Sequence, residues 1–274
     1  MELIGTFVDN SHEAEKMRKK RLGQCKICLQ TDIKMSEDHI PPRSVQPFLN
    51  IVAFNPLNMR TDDYVPNTYY SQNGLKFPTI CSSCNSKLQK YDASLRHLVH
   101  DLRKFANSKL YLPGEIRLAA RPNAIMRGIL GHLLASKTYV DDCVEDGKFR
   151  DCVLDANIPI PDGVFFSYWI YRHHSMKVFR DYIMPRKRGV FAGNPGVFHA
   201  IKFQPIAFLV TDFPEYEGLY TLNKFKSVPL TQEEEILFRL DRNYSEHWPE
   251  IVDDKNFIMM GKSLEDTRSA IKKE

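Results

Sequence analysis

Four cysteines stand in two pairs at ligand spacing, Cys25-x2-Cys28 and Cys81-x2-Cys84. Each pair can present two thiolates from one tight turn to a single ion, and two pairs complete a tetrahedral four-sulfur zinc shell. Such a shell has no open position for water, so the zinc would be structural. It would pin two distant points of the chain together. Asp38 and His39, in "EDHIPP", lie inside the loop closed in this way, and Asn85 directly follows the last cysteine. Imidazole has a reference pKa of about 6.5 and can take a proton near neutral pH. Asp38 and the Asn85 carbonyl are hard oxygen donors suited to Mg2+ or Mn2+. Glu37 is an alternative ligand or a supporting partner for the site.

Neighbours on a regular strand point to opposite faces. Asp38 and His39 can therefore share a site only where the strand twists or ends. Pro41-Pro42 removes two backbone donors and favours such an ending. The competing readings are a turn with a surface histidine and four unrelated buried cysteines. Cys143 and Cys152 lack ligand spacing and read as ordinary thiols.

The order "CKIC", "DHIPP", "CSSCNSKLQKYD" resembles the HNH endonuclease family, of the ββα-metal type, in its zinc-ribbon branch. The resemblance covers roughly residues 20–100. It implies that His39 is the general base, that Asp38 ligates a single catalytic Mg2+ or Mn2+, and that Asn85 is the second protein ligand. The middle asparagine of the family, which orients the histidine, falls to Asn73, with Asn55, Asn58 and Asn67 as substitutes. Asp92 would support the helix or the site indirectly. The 41 residues between His39 and Cys81 exceed the family's usual spacing, and 50–70 reads as an insertion. The activity implied is phosphodiester hydrolysis in double-stranded DNA, as in restriction or phage defence. Two alternatives stay open: a non-catalytic zinc-ribbon module binding nucleic acid or protein, and an RNA-directed nuclease.

Charge agrees with a polyanionic partner. Residues 1–110 carry 16 Lys and Arg against 11 Asp and Glu, and the remainder 22 against 23. The cluster Arg18, Lys19, Lys20 and Arg21 precedes the first cysteine pair, and Lys87 and Lys90 follow Asn85. All six are candidate phosphate contacts, with a solvated surface as the competing reading. No apolar run reaches membrane-spanning length, and the basic cluster follows the apolar start instead of preceding it. The expectation is a cytoplasmic protein.

These groups need elements to hold them. A short helix is expected from Ser11 through the basic cluster. The proline-rich stretch 25–85 buries little core of its own and needs the metal clamp. Leu88, Tyr91, Leu95, Leu98, Leu102 and Phe105 recur at helical spacing, predicting a helix over 85–110. A second helix begins near Pro122, with His132 as a structural histidine within it. Beyond Asp155, "GVFFSYWIY" and "MKVFRDYIM" read as a hairpin joined through "RHHS". "VFHAIKF", "IAFLVTDF" and "GLYTLN" read as further strands. "LTQEEEILFRL" reads as a late helix capped by Thr231 and Glu234, and "EDTRSAIKKE" as polar helix or disordered tail. The basic loop 184–196 leaves four readings open: DNA binding, recognition of a modified base, binding of a partner, or a plain chain turn. The fold expected is α+β: an N-terminal HNH module over 1–112, with four-cysteine zinc knuckles, and a mixed helix and antiparallel-sheet domain over 113–274.

Overall fold

A computed structural model describes residues 22–54, 69–106, 108, 114–137, 144–184, 196–214, 216, 218–253, 256–257 and 268–273. The expected helix from Ser11, Arg18–Arg21, Asn55, Asn58, Asn67, Cys143 and most of the 184–196 loop lie outside them. The chain is mixed α+β with antiparallel sheets, as the sequence pattern suggested.

Strands β1 (Leu22–Gly23), β2 (Ile33–His39) and β5 (Lys76–Cys81) form an antiparallel sheet in the order β1-β2-β5. β5 runs directly into α1 (Ser82–Ala106), so the helix starts earlier than its apolar period alone implied, and Cys84 sits in its first turn. Leu88, Tyr91, Leu95, Leu98 and Leu102 are all buried, as their spacing requires.

After β6 (Glu115–Ala120), α1 packs on α2 (Pro122–Ala135), every residue of which is buried. A helix covered on all sides belongs in the centre of the molecule. Its glycines set the approach to α1. A Cβ on Gly131 would stand 2.2 Å from Leu88 Cδ2, whereas one on Gly128 would stand 3.3 Å from Tyr91 Cβ. α3 (Val144–Leu154) also packs on α2, and its end meets α1, where the Tyr91 hydroxyl donates to the Val153 carbonyl. There the buried Arg127 guanidinium donates to carbonyl oxygens of Cys152, Asp155, Ala156 and Ile158, satisfying the end of α3.

The largest sheet is antiparallel throughout. It contains β3 (Ile51–Phe54), β4 (Tyr69–Ser71), β7 (Phe165–Ile170), β8 (Ser175–Met184), β9 (Gly196–Phe203), β10 (Ile206–Thr211), β11 (Tyr220–Thr221) and β15 (Arg268–Lys272), in the order β11-β7-β10-β9-β8-β15-β3-β4. Alternation divides its two faces. Ile206, Phe208 and Val210 join the core that holds the helices, while Ala207 and Leu209 join an aromatic cluster with Trp169, Tyr171, Phe179 and Trp248. Strands from both sides of residues 112–113 share this sheet.

Three sequence expectations are corrected. β7 and β8 are not a hairpin: β10 and β9 lie between them, and their link crosses the β9–β10 turn, where Tyr171 N donates to Pro205 O. Period-two patterning identifies strands but not which strand each one pairs with. "LTQEEEILFRL" contains no helix. It forms β12 (Glu234–Arg239), paired with β6, and its buried Ile236 and Phe238 stand two residues apart. The segment around Arg268 is neither helix nor loose tail, for β15 is an interior strand between β8 and β3. A short β13–β14 pair (Ile251–Asp253, Asn256–Phe257) completes the strands.

One group of buried charges in the second half is built around Asp146. Asp146 lies between Arg180 and Lys137, with Asp181 and His199 adjoining. Burial alone would raise the Asp146 carboxyl, but the Arg180 and Lys137 cations hold it far below the usual carboxylate range.

Candidate active site

The four cysteines converge. Their sulfurs all lie within 4.8 Å of one another. Sulfurs around a tetrahedral zinc stand about 3.8 Å apart, given Zn–S bonds of about 2.3 Å; Cys28 Sγ and Cys81 Sγ are 3.9 Å apart. The N–H groups of Cys28 and Cys81 donate to Cys25 Sγ at 3.5 and 3.4 Å. With the neighbouring Cys84 thiol as the main cause, they hold the Cys25 thiol down to about 4. The cluster could bind a metal ion such as zinc. Cys152 is a buried free thiol away from it.

Beside the cluster opens a cleft of about 540 Å³, whose lining includes Glu37, Asp38, His39, Arg43, Asn85, Gln89, Asp92 and Arg96. Three elements meet there: the end of β2, the turn after Pro42, and the first turns of α1. Asp38 and His39 both reach it because the β2–β5 register shifts between Ser36 and Asp38 and the strand stops at His39. The following prolines lead into a single 3-10 turn, Arg43–Val45.

His39 Nε2 is 2.9 Å from the main-chain oxygen of Asn73. A carbonyl only accepts, so Nε2 carries the proton and Nδ1 is left as an acceptor. Burial lowers the His39 pKa below its ordinary value, against the opposing pull of the Asn73 carbonyl and Asp38. The neutral, proton-accepting ring is the form this environment favours. Asn73 thus meets His39, as its sequence position suggested, but through its backbone. That backbone is fixed by its neighbours. Gly74 has φ +73°, and a Cβ on it would collide with Gln46 Oε1 at 1.9 Å. The buried Gln46 side chain bonds Pro41 O and both the N–H and the C=O of Leu75.

Asn85 Nδ2 donates to Ser36 Oγ at 2.8 Å and to the Glu37 carbonyl at 3.5 Å. These bonds orient the amide, and among the described residues its Oδ1 has no hydrogen-bond partner. Glu37 is ion-paired with Lys76. Asp38 is only 4% exposed. Its Oδ2 is 2.8 Å from Nδ1 of His132, a residue of α2, and the other nitrogen of that ring is 2.7 Å from Asp92 Oδ1. Burial alone would push the His132 pKa down. The Asp92 and Asp38 carboxylates reverse this and raise it to about 10. Asp38 Oδ1 has no partner among the described residues. Asp38 and Asn85, both residues of the cleft lining, thus each keep one hard side-chain oxygen without a hydrogen-bond partner among the described residues.

Arg43 and Arg96 stand exposed at the rim, without ion-pair partners among the described residues. Lys87 does not line the cleft, because its Nζ donates to the Leu154 carbonyl at the end of α3. Lys90 is exposed and also outside the lining. His173 bonds Tyr244 O.

His132, Gln46, Arg43 and Arg96 are the contributors that sequence reading missed. One signal for His132 was present: an imidazole among Ile129, Leu130, Leu133 and Leu134 must find polar partners or destabilise the core. Comparison with protein-family models, characterised proteins and solved structures finds no match to this chain. Its function must be read from the site.

Proposed function

We propose that this protein is a metal-dependent endonuclease of the HNH type, hydrolysing phosphodiester bonds in DNA. One observation carries the reading: His39, Asp38 and Asn85 meet in a single cleft beside the four-cysteine cluster, with the His39 tautomer set for accepting a proton. The order of β2, β5 and α1, with the second cysteine pair at the strand-to-helix junction, also supports it. In this reading zinc on Cys25, Cys28, Cys81 and Cys84 fixes β5 and α1 against the turn after β1.

Arg43 and Arg96 receive the phosphate backbone at the rim. His39 Nδ1 accepts a proton from water as the water oxygen bonds to phosphorus and the P–O bond to the leaving sugar oxygen breaks. The Asn73 carbonyl holds the imidazole in place throughout, and its bond strengthens as the ring becomes charged. Asp38 and Asn85 would hold Mg2+ or Mn2+, which when bound supplies charge neutralisation at the phosphate and the leaving oxygen. Burial of Asp38 beside Asp92 leaves acidic charge at the cleft floor that a divalent cation complements.

The test is conversion of supercoiled plasmid to nicked and linear DNA with Mg2+ or Mn2+, by wild type and His39→Ala, with RNA as a parallel substrate. Loss of a general base lowers the rate by about 10²–10⁴-fold. Equal cleavage by both proteins, or DNA binding without cleavage under any ion, would overturn the nuclease reading. The second result would instead mark a binding module.

A further inference from the structure

α2 belongs to the chain beyond Gly114, yet one of its side chains reaches two residues that line the cleft. His132 is fully buried, and its two ring nitrogens meet carboxylates from two different elements, Asp38 of β2 and Asp92 of α1. An imidazole is a costly core filler where isoleucine or leucine would pack, unless both nitrogens are satisfied. Here both partners are cleft residues. The torsion at the end of an aspartate side chain is soft and nearly two-fold. Asp38 alone could present either oxygen, or a rotating carboxylate, to the cleft. The bond to His132 Nδ1 claims Oδ2, and the bond from His132 Nε2 to Asp92 stops the ring from turning. The approach that makes this reach possible depends on Gly128 and Gly131, which bring α2 against Tyr91 and Leu88.

We propose that His132 is a positioning residue for the divalent ion of the cleft, locking Asp38 with Oδ2 inward so that Oδ1 is the oxygen offered to the metal. This rests on the reading of Asp38 as a metal ligand. It assigns the second half of the chain a part in the site. The two-sided grip also separates the roles of the two ring nitrogens: Nδ1 acts on the ligand, and Nε2 only steadies the ring.

The amide of asparagine reaches about as far as imidazole Nδ1, and that of glutamine about as far as Nε2. His132→Asn keeps the bond to Asp38, and His132→Gln keeps the bond to Asp92. Mn2+ binding to the full chain, followed by water-proton relaxation without nucleic acid, reads the effect directly. Wild type should show a site that Asp38→Ala removes. His132→Gln should weaken it about 10- to 100-fold, the usual cost of losing a partner that orients a ligand, while His132→Asn should stay within about threefold. Binding by His132→Gln equal to wild type, or equal weakening in both variants, overturns the proposal. Absence of any site that depends on Asp38 overturns the metal-ligand reading itself, a different result, and the positioning role with it. Zinc content and circular dichroism establish that each variant is folded. If His132→Gln does not fold, the wild-type chain decides: saturating Mg2+ should shift the nitrogen-bound proton resonance of His132 Nδ1, and an unmoved resonance overturns the proposal.

Discussion

Substituting alanine at Gly131 and, separately, at Gly128 tests the close approach of α1 and α2. Both positions are interior to the same helix, so each exchange gains about 1 kcal/mol of helix propensity. Their surroundings differ. At Gly131 the new methyl would stand 2.2 Å from Leu88 Cδ2, with Leu88 Cγ and Cδ1 at 3.3 and 3.4 Å. Leu88 is wholly buried and has no open side to move toward. Overpacking of this kind costs about 1–3 kcal/mol. At Gly128 the nearest contact is 3.3 Å, which a shift of a few tenths of an ångström relieves. The propensity gain cancels in the comparison, leaving Gly131→Ala less stable than Gly128→Ala by about 1–2 kcal/mol. Urea unfolding of both variants measures this difference. Adding Leu88→Ala to Gly131→Ala should recover about the same 1–2 kcal/mol as a coupling energy, because the methyl then occupies vacated space. Gly131→Ala as stable as Gly128→Ala, or a cycle with no coupling, would refute the account of how α2 is seated.

Three further outcomes follow from the geometry. Elemental analysis should find about one zinc per chain, and Cys81→Ser should lose it and lower the unfolding midpoint, since such metal binding is part of folding free energy. Asp146 has a folded-state pKa below its unfolded value, so its contribution is present above the unfolded pKa of about 3.9 and is lost as pH falls below it. Asp146→Asn should therefore flatten the acid limb of stability against pH below about pH 4, and an unchanged limb would contradict the pairing with Arg180 and Lys137. If the proposed function holds, Arg96→Ala should weaken DNA binding and reduce the salt slope by about 1. Lys87→Ala should leave that slope unchanged because its ammonium is held by Leu154 O, and equal effects of the two in a salt titration would contradict these placements.

What was legible in the sequence depended on distance along the chain. The cysteine spacing placed four sulfurs together because each pair shares one turn. The apolar period of α1 identified its buried stripe because helical neighbours are local. "DHIPP" marked the strand end because prolines act on adjacent backbone. Partners distant in sequence were not legible. Nothing near His132 names Asp38 or Asp92. Nothing in "RHHS" reveals that two other strands separate β7 from β8. The acidic run 233–235 carried a helix-start signal, but pairing with β6 and the alternation of Ile236 and Phe238 outweighed it. Asn73 was found by position and its action misplaced, since a side-chain type gives no information about what its own carbonyl meets.

Strand β15 also sets an order in time. Ala270 lies between Ala53 of β3 and Met176 of β8, and it is the strand through which β3 and β4 join the rest of their sheet. β4 leads straight into the turn whose carbonyl grips His39. On a ribosome adding 5–20 residues per second, β15 emerges on the order of ten to forty seconds after β3. Through that interval β3 has β4 as a neighbour but lacks β15. The sheet edge that leads into the turn at Asn73 therefore gains its last neighbour only when synthesis has passed residue 272.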